Sequence, residues 1–388
     1  MLLMEMIYLD HNATTPTRPE VIDAVARVMR DGYANPASQH RPGQRAHRAL
    51  DRARETVAHV LGADLSASNP DRVIFTGSGT EANNLAVLGI VRARSREKPG
   101  RVILSAIEHA SVIEPAEHLL EEGWRLDTLG VTPDGVVRVE DLPPLLSPDT
   151  RLVSVMLGNH ETGVLQPVGE LASLCNQAGV PLHSDAVQAV GKQQVHFRRL
   201  GVAALTIAAH KFQGPLGIGS LLLRHDILVE PLLFGGHQQD GLRPGTESVA
   251  LAVGMATALE LWQKEEHEHR RRLTELRQRF ERGLTAGFPG AVVNGAGAER
   301  LPHTASIAFP GLDGQVLLLA LDSVGVACSV GSACSSGSTE LSPTLRAMAL
   351  PQDVVAGSLR FSLGATTTEA EVDEAVRRIL KVVAELRG

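Results

Sequence analysis

An α/β architecture with a mostly parallel sheet, followed by a smaller α+β portion, is the fold class this sequence predicts. Three observations predict it. Apolar strand-like runs alternate with helical patterns through the first two-thirds of the chain, the rhythm of βαβ units whose sheet is covered on both faces. The pattern changes after about residue 246. The chain has 388 residues with 43% hydrophobic and 21% charged content, enough for two domains and a sizeable core in an ordinary soluble protein.

In chain order, residues 73–76 read as a strand, followed by a glycine-rich turn and a helix from about Thr80 to Arg94. Residues 101–104 precede a helix over about 110–122, and residues 152–156 precede one over about 168–178. Residues 180–185 and 203–209 are strands that end in Asp185 and in His210-Lys211, and residues 217–224 are a further strand. A long helix follows over about 249–282, rich in Glu, Arg, Leu and His, whose charges read as a solvated face. His267 and His269 on it read as surface residues, two apart and not sharing a face. Short strands at 304–309 and 358–362, with helices at 315–321 and 369–386, give the α+β pattern. The expected division is 15–261 for the large domain, with 1–14 and 262–388 forming the small one.

Composition excludes some classes. A net charge of −7 argues against nucleic acid or an anionic membrane as a direct partner. No apolar run approaches the roughly 20 residues that cross a bilayer. The N-terminus lacks a basic region and carries Glu5, unlike a signal peptide. Three cysteines are too few and too odd in number for a disulfide framework, so a reducing cytoplasm is the expected compartment. Nothing in the sequence points to a metal site.

The most informative residues are His210-Lys211, 26 positions after Asp185, with Gln188 between them. A lysine that forms a Schiff base with pyridoxal phosphate needs an acid partner for the pyridine nitrogen. Strand ends are where open α/β sheets place ligands. Thr76-Gly77-Ser78-Gly79-Thr80-Glu81, between a strand and a helix, suits an anion: small residues let the backbone approach, and free N–H groups face it. Thr80 is expected to cap that helix. The Gly-Lys-Ser/Thr ending of a P-loop is missing. Cys334 sits in a run of small residues, Val330 to Ser338, and reads as an exposed, reactive thiol on a mobile loop at about 329–338. Cys175 and Cys328 read as packed, with a resolving role toward Cys334 as the sharper alternative for Cys328.

These residues resemble pyridoxal-phosphate-dependent cysteine desulfurases of the NifS/IscS type, within the class V aminotransferase-like enzymes, from about Tyr8 to the C-terminus. The likeness rests on Tyr8 to Pro16, Asn35-Pro36-Ala37-Ser38, Thr80-Glu81-Ala82-Asn83-Asn84, Glu108-His109, His183 to Gln188, His210-Lys211, Arg243-Pro244-Gly245-Thr246, Gly331-Ser332-Ala333-Cys334 and Leu359-Arg360-Phe361-Ser362. It implies the fold type I of pyridoxal-phosphate-dependent transferases, with the catalytic cysteine on a loop of the small domain.

By that resemblance Lys211 carries the cofactor, Asp185 pairs with the ring nitrogen, and His109 stacks on the ring and acts in proton transfer. Gln188 contacts the phenolic oxygen, Gly79, Thr80 and His210 bind phosphate, and Thr246 reaches the neighbouring subunit's phosphate in a homodimer. Arg360 clamps the substrate carboxylate, as a bidentate guanidinium suits, with Asn35 nearby. The implied reaction is a sulfur transfer. L-cysteine becomes L-alanine, and the sulfur passes as a persulfide on Cys334 to an acceptor protein, such as an iron–sulfur scaffold, or to thiolation.

Three departures stand out. His160 replaces the Asn that ordinarily contacts the phenolic oxygen, bringing a larger group that titrates. Ala208 replaces a phosphate-binding serine; a hydrogen bond to such a charged group is worth roughly 1.5–3 kcal/mol. The chain stops at Gly388 without the longer tail that helps some relatives dock the scaffold, which leaves the acceptor open. The competing readings are an aminotransferase or selenocysteine lyase on the same cofactor, and a non-catalytic homologue serving in assembly or regulation.

Overall fold

The computed structural model describes residues 6–31, 34–95, 98–331 and 341–387. The chain opens with a two-residue strand β1 (Ile7–Tyr8), then helices α1 (Pro19–Asp31) and α2 (Arg41–Leu61). The sequence reading places no element over these helices. Seven strands then build the main sheet: β2 (Arg72–Thr76), β3 (Arg101–Ser105), β4 (Arg125–Leu129), β5 (Thr150–Ser154), β6 (Leu182–Asp185), β7 (Ala204–Ala208) and β8 (Gly219–Leu223). Between them run α3 (Gly79–Asn84), which continues through a π turn into α4 (Ile90–Ala93), then α5 (Ala110–Glu121), α6 (Val168–Gln177) and the short α7 (Phe197–Leu200).

The strand order is β2-β8-β7-β6-β5-β3-β4. Only β8 runs antiparallel to its neighbours; the other pairs are parallel. The mostly parallel expectation holds. Its inner strands are buried along almost their whole length because helices cover both faces. β4, which the sequence reading omits, is an edge strand whose Arg-Leu-Asp-Thr-Leu sequence alternates, and its Asp127 pairs with Arg101 at 2.8 Å. Most of β4 is exposed or half-buried, so it lacks the continuous apolar run that β2, the other edge strand, keeps.

α8 (Val249–Gly287) is a single helix of 39 residues that serves two cores. Val249 to Leu259 pack with α2 and the main sheet. Leu273, Leu276, Phe280 and Leu284 pack into a second cluster with Ile7, Leu9 and most of the remaining elements. The remaining elements are β9 (Val292–Val293), β10 (Thr304–Ala308), α9 (Gly314–Ser323), β11 (Val326–Ala327), α10 (Pro343–Ala347), α11 (Gln352–Ala356), β12 (Ser358–Ser362) and α12 (Glu369–Arg387), of which α10 and α11 pack on the first cluster through Leu345 and Val355. β12, β10 and β9 form an antiparallel sheet, and β11 pairs with β1. His269 on α8 departs from its surface reading. It is partly buried and lines a small cavity with Lys192, because α8 lies in the seam between the two cores there.

Phe361 and Phe280 are both fully buried in the second cluster, with ring centroids 5.0 Å apart. Phe361→Ala is expected to cost roughly 3–5 kcal/mol, the price of a large core cavity. Urea unfolding measures it, and a loss below about 1 kcal/mol would contradict the packing assigned to this cluster.

Candidate active site

The site lies along the carboxyl edge of the parallel strands. There a cavity of about 190 Å³ is lined by residues following β2, β3, β5, β6 and β7. After β2 the chain turns into α3. Ser78, not Thr80, caps that helix: its Oγ accepts the Glu81 N–H at 3.1 Å. Thr80 lies inside the first turn instead and is exposed on the cavity wall. Glu81 holds the turn by accepting from the Gly77 N–H at 2.6 Å and by pairing with Arg243 at 2.7 Å. A Cβ at Gly219 would fall 2.4 Å from the Ser78 carbonyl, so glycine there lets the turn lie against the sheet.

Asp185 ends β6, buried. Its Oδ2 accepts from Asn83 Nδ2 at 2.7 Å and its Oδ1 from the Val187 N–H at 2.8 Å. Asn83 Nδ2 also donates to Ser111 Oγ at 2.8 Å, which in turn lies 2.8 Å from His109 Nδ1. His109 caps α5, its Nδ1 accepting the Ser111 N–H at 3.1 Å. Nδ1 is thus an acceptor, which assigns the ring proton to Nε2. Asp185, Asn83, Ser111 and His109 form one connected network. The sequence reading quotes Asn83 within a motif without giving it a role and misses Ser111. The signal available for Asn83 was a buried polar side chain on the inner face of α3.

Lys211 follows β7, and its Nζ donates to the carbonyls of Asn12 at 2.5 Å and Ala13 at 2.9 Å. Gln188 Nε2 donates to the same Asn12 carbonyl at 3.0 Å. Asn12 Nδ2 donates to the His160 carbonyl at 3.1 Å. His160 meets the His109 ring edge-on, with centroids 5.4 Å apart. Burial, then the nearby His109, Arg360 and Lys211, hold the His160 pKa well below its ordinary value, so the ring is neutral at neutral pH. Its Nδ1 is buried without a hydrogen-bond partner among the described residues. Arg360, buried in β12, pairs with Asp10 at 2.8 Å and donates to the His160 carbonyl at 3.1 Å, which ties the second core to the cavity wall.

Other groups stand behind this wall. His183 is buried between Ser154 Oγ at 2.8 Å and Thr206 Oγ1 at 3.0 Å, and burial brings its pKa to about 4. Glu108 bonds Ser105 Oγ and accepts the Met156 N–H, and burial, with Asp185 adding, raises its pKa to about 8. His210 contacts Thr14 Oγ1 at 3.2 Å, its pKa brought to about 4 by burial and then by Lys211 and Lys192. Ala208 is buried where a hydroxyl would face the cavity.

The cavity gathers Gly79, Thr80, His109, His160, Asp185, Gln188, His210 and Lys211, with Arg360 next to its wall. It does not gather Asn35 or Thr246. Both are exposed, and Asn35 turns its Oδ1 back to the Ala37 N–H at 2.9 Å. Asn35, in the turn into α2, thus does not line the cavity within one chain. Cys334 lies outside the described residues. The chain reaches Gly331 beside the Glu161 carboxylate, and Ser342 Oγ donates to that carboxylate at 2.5 Å. Cys175 and Cys328 are packed, as expected, and burial pushes both thiols up to about 12. Among the described residues no group of His, Cys, Asp and Glu is arranged to hold a metal ion.

The donor set fits pyridoxal phosphate. A buried acid and a lysine meet in one cavity, backbone N–H groups and His210 stand at one end, and the buried Asn83 Oδ1 has no hydrogen-bond partner among the described residues. A fold of this kind with an acid–lysine pair at its carboxyl edge defines a pyridoxal-phosphate-dependent transferase of fold type I. The chain belongs to the aminotransferase class-V family, whose model matches residues 7–375. Within it, the chain is an enzyme of the NifS/IscS cysteine desulfurase type. It is 40% identical over 386 residues to the cysteine desulfurase NifS of Azotobacter vinelandii, spanning 99% of this chain and 94% of that one. It is 42% identical over 388 residues to an IscS-like cysteine desulfurase of Mycobacterium tuberculosis, spanning 98% and 97%. The crystal structure of a NifS-like protein from Rickettsia africae superposes with a TM-score of 0.87 at 30% identity, covering 97% of this chain and 99% of that one.

The buried histidines generate a pH prediction. His11, His183, His210 and His269 all have folded pKa values near 4, burial being the leading cause in each. Between about 6.5 and 4 the unfolded chain therefore binds protons that the folded chain refuses, so their stabilisation, present above pH 6.5, is lost as pH falls toward 4. Glu108 acts the other way: raised to about 8, it stabilises below the ordinary carboxyl range and loses that contribution as pH rises through 8. Four groups outweigh one, and melting temperature is expected to fall steadily from pH 6.5 to 4. A flat profile in scanning calorimetry would show that these rings are protonated in the fold at no cost.

Proposed function

We propose that this enzyme removes sulfur from L-cysteine, leaves L-alanine, and passes the sulfur as a persulfide on Cys334 to an acceptor protein serving iron–sulfur cluster assembly or thiolation. The observation that carries the reading is the meeting of Asp185 and Lys211 in one cavity, with Arg360 bonded to its wall. When bound, pyridoxal phosphate supplies an electron sink for the charge left at the substrate Cα.

The residues divide the remaining work. Asp185, oriented by Asn83 and the Val187 N–H, would pair with the ring nitrogen, and His109 would hold the ring from its side of the cavity. Gln188 and His160 would take the phenolic oxygen, His160 as a neutral ring. Gly79, Thr80 and His210 would hold the phosphate, without a hydroxyl from position 208. Arg360 receives the substrate carboxylate, its pairing with Asp10 keeping the guanidinium in place. Lys211 takes the Cα proton. The Cys334 thiolate attacks the substrate sulfur; the sulfur–carbon bond breaks, its electron pair stays with carbon, and that carbon is protonated to give alanine.

A homodimer completes the site in this reading. Thr246 and Asn35 are exposed away from their own cavity, and Phe234 is 90% and Leu233 51% exposed, apolar surface that a second copy covers. We assign residues 15–261 to the large domain and 1–14 with 262–388 to the small one, a division supported by the cluster around Phe280, while Leu301, Leu345, Met348 and Val355 pack back onto the main-sheet cluster. No helix among the described residues is long and apolar enough to cross a membrane. We place the enzyme in the cytoplasm, where its cysteines remain thiols.

Single-turnover mixing with L-cysteine, followed by mass spectrometry, is expected to give alanine and one persulfide on Cys334, both lost in Cys334→Ala. Cofactor-bound protein that yields neither product would overturn the reading and favour a non-catalytic homologue. Asn83→Ala is expected to weaken cofactor binding about tenfold, since the bond it removes orients a buried carboxylate. Equilibrium dialysis reads this directly, and unchanged retention would show that Asp185 needs no such partner.

A further inference from the structure

Lys192 is buried, 6% exposed, on the turn that follows β6. No carboxylate lies within ion-pair distance of it among the described residues, for the nearby Glu265 is paired with Arg18 at 2.8 Å. The ionisable groups that face it are Lys211 and four histidines, His11, His210, His269 and His303. Burial, with Lys211 adding, brings its pKa down to about 7. A buried amine without an acid partner is a poor choice for stability alone, because desolvating it costs several kcal/mol.

Its one hydrogen-bond acceptor among the described residues explains its presence. Lys192 Nζ donates to the backbone carbonyl of Lys211. That segment has left the sheet at Ala208, so its carbonyls need partners from elsewhere. The His210 carbonyl accepts from the Thr15 N–H at 3.0 Å and from Thr15 Oγ1 at 2.7 Å. The Lys211 carbonyl is taken by Lys192. The neighbouring Gly191, at φ 80°, is pressed on Phe212 so closely that a Cβ would stand 2.1 Å from the Phe212 Cβ. The turn after β6 thus braces residues 211–212 from behind, while the Lys211 amine points forward to the cavity.

We propose that Lys192 is a positioning residue: its bond to the Lys211 carbonyl fixes the backbone from which Lys211 reaches the cofactor. This rests on the reading of Lys211 as the cofactor-bearing lysine. A neutral amine donates as well as an ammonium, so the brace works in either protonation state.

The test uses cofactor-free full-length protein. Covalent capture of pyridoxal phosphate is followed by borohydride trapping and mass mapping, beside hydrogen exchange of the Phe212 and Gly214 amides, which both bond the Ala209 carbonyl. Lys192→Met is expected to slow capture at least tenfold and to speed exchange of those amides, with the melting temperature near that of wild type. Lys192→Arg, which keeps a donor, is expected to restore most of the rate. Should the Met variant fold poorly, Lys192→Gln, too short to reach the carbonyl, is expected to show the same slowing. Capture at the wild-type rate in a folded Met or Gln variant overturns the proposal. Trapped cofactor on a lysine other than Lys211 in the wild type sinks the Lys211 assignment instead, a separate outcome.

Discussion

The parallel pairing of β6 with β7 is the constraint on which the rest of the site depends. Its register sets Asp185 opposite Thr206. The acid therefore ends one strand just where the next continues for two residues before turning out at Ala209 to His210-Lys211. The ladder bonds place the carboxylate at the cavity directly and deliver to the same edge the turn that carries the amine. Those bonds form between strands buried on both faces, where an unpaired N–H is costly, so the register resists slippage. Everything else at the site adjusts the two groups this pairing delivers.

Two kinds of adjustment are visible. The first is hydrogen bonding from neighbouring elements: Asn83 from α3 on Asp185, and the Asn12 and Ala13 carbonyls from the N-terminal segment on Lys211. The second is withdrawal of charge. His160, His183 and His210 are kept neutral by burial, and Glu108 is kept protonated at neutral pH. The ionised groups of the site then act on a cofactor and substrate without competing charges close by, which strengthens their effect in a poorly solvated cavity. The replacement of an amide by His160 fits this pattern, because the ring stays uncharged while filling the corner between His109 and Arg360.

The two cores meet along a packed seam that includes specific polar ties. α8 runs unbroken through both, and Arg360 reaches from β12 to the His160 carbonyl and to Asp10. The binding groups of the large sheet and the expected carboxylate clamp of the small one are therefore held in register by a helix and a buried ion pair. Breaking either partner of such a pair leaves a buried charge uncompensated.

Strands with unbroken apolar runs, the helices between them and the acid–lysine pair at two strand ends were legible in the sequence, because periodicity and strand ends are local properties. β4 was not, since most of it stays exposed or half-buried. α1 and α2 were not, since α1 buries only Val21 and small residues such as Gly43, Ala46 and Ala53 interrupt the larger apolar residues of the α2 stripe. The choice of Ser78 over Thr80 as cap depended on where the turn leaves β2. The sequence by itself determined the chemistry available: which residues can hold an anion, pair with a ring nitrogen or carry sulfur. Only the tertiary structure decided that Asn12, Asn83, Ser111 and Lys192 are hydrogen-bonded around the acid and the lysine, and that Asn35 and Thr246 lie outside the cavity of their own chain. Each of those facts is a contact between segments far apart in the chain, set by packing and hydrogen-bond geometry, to which local pattern is blind.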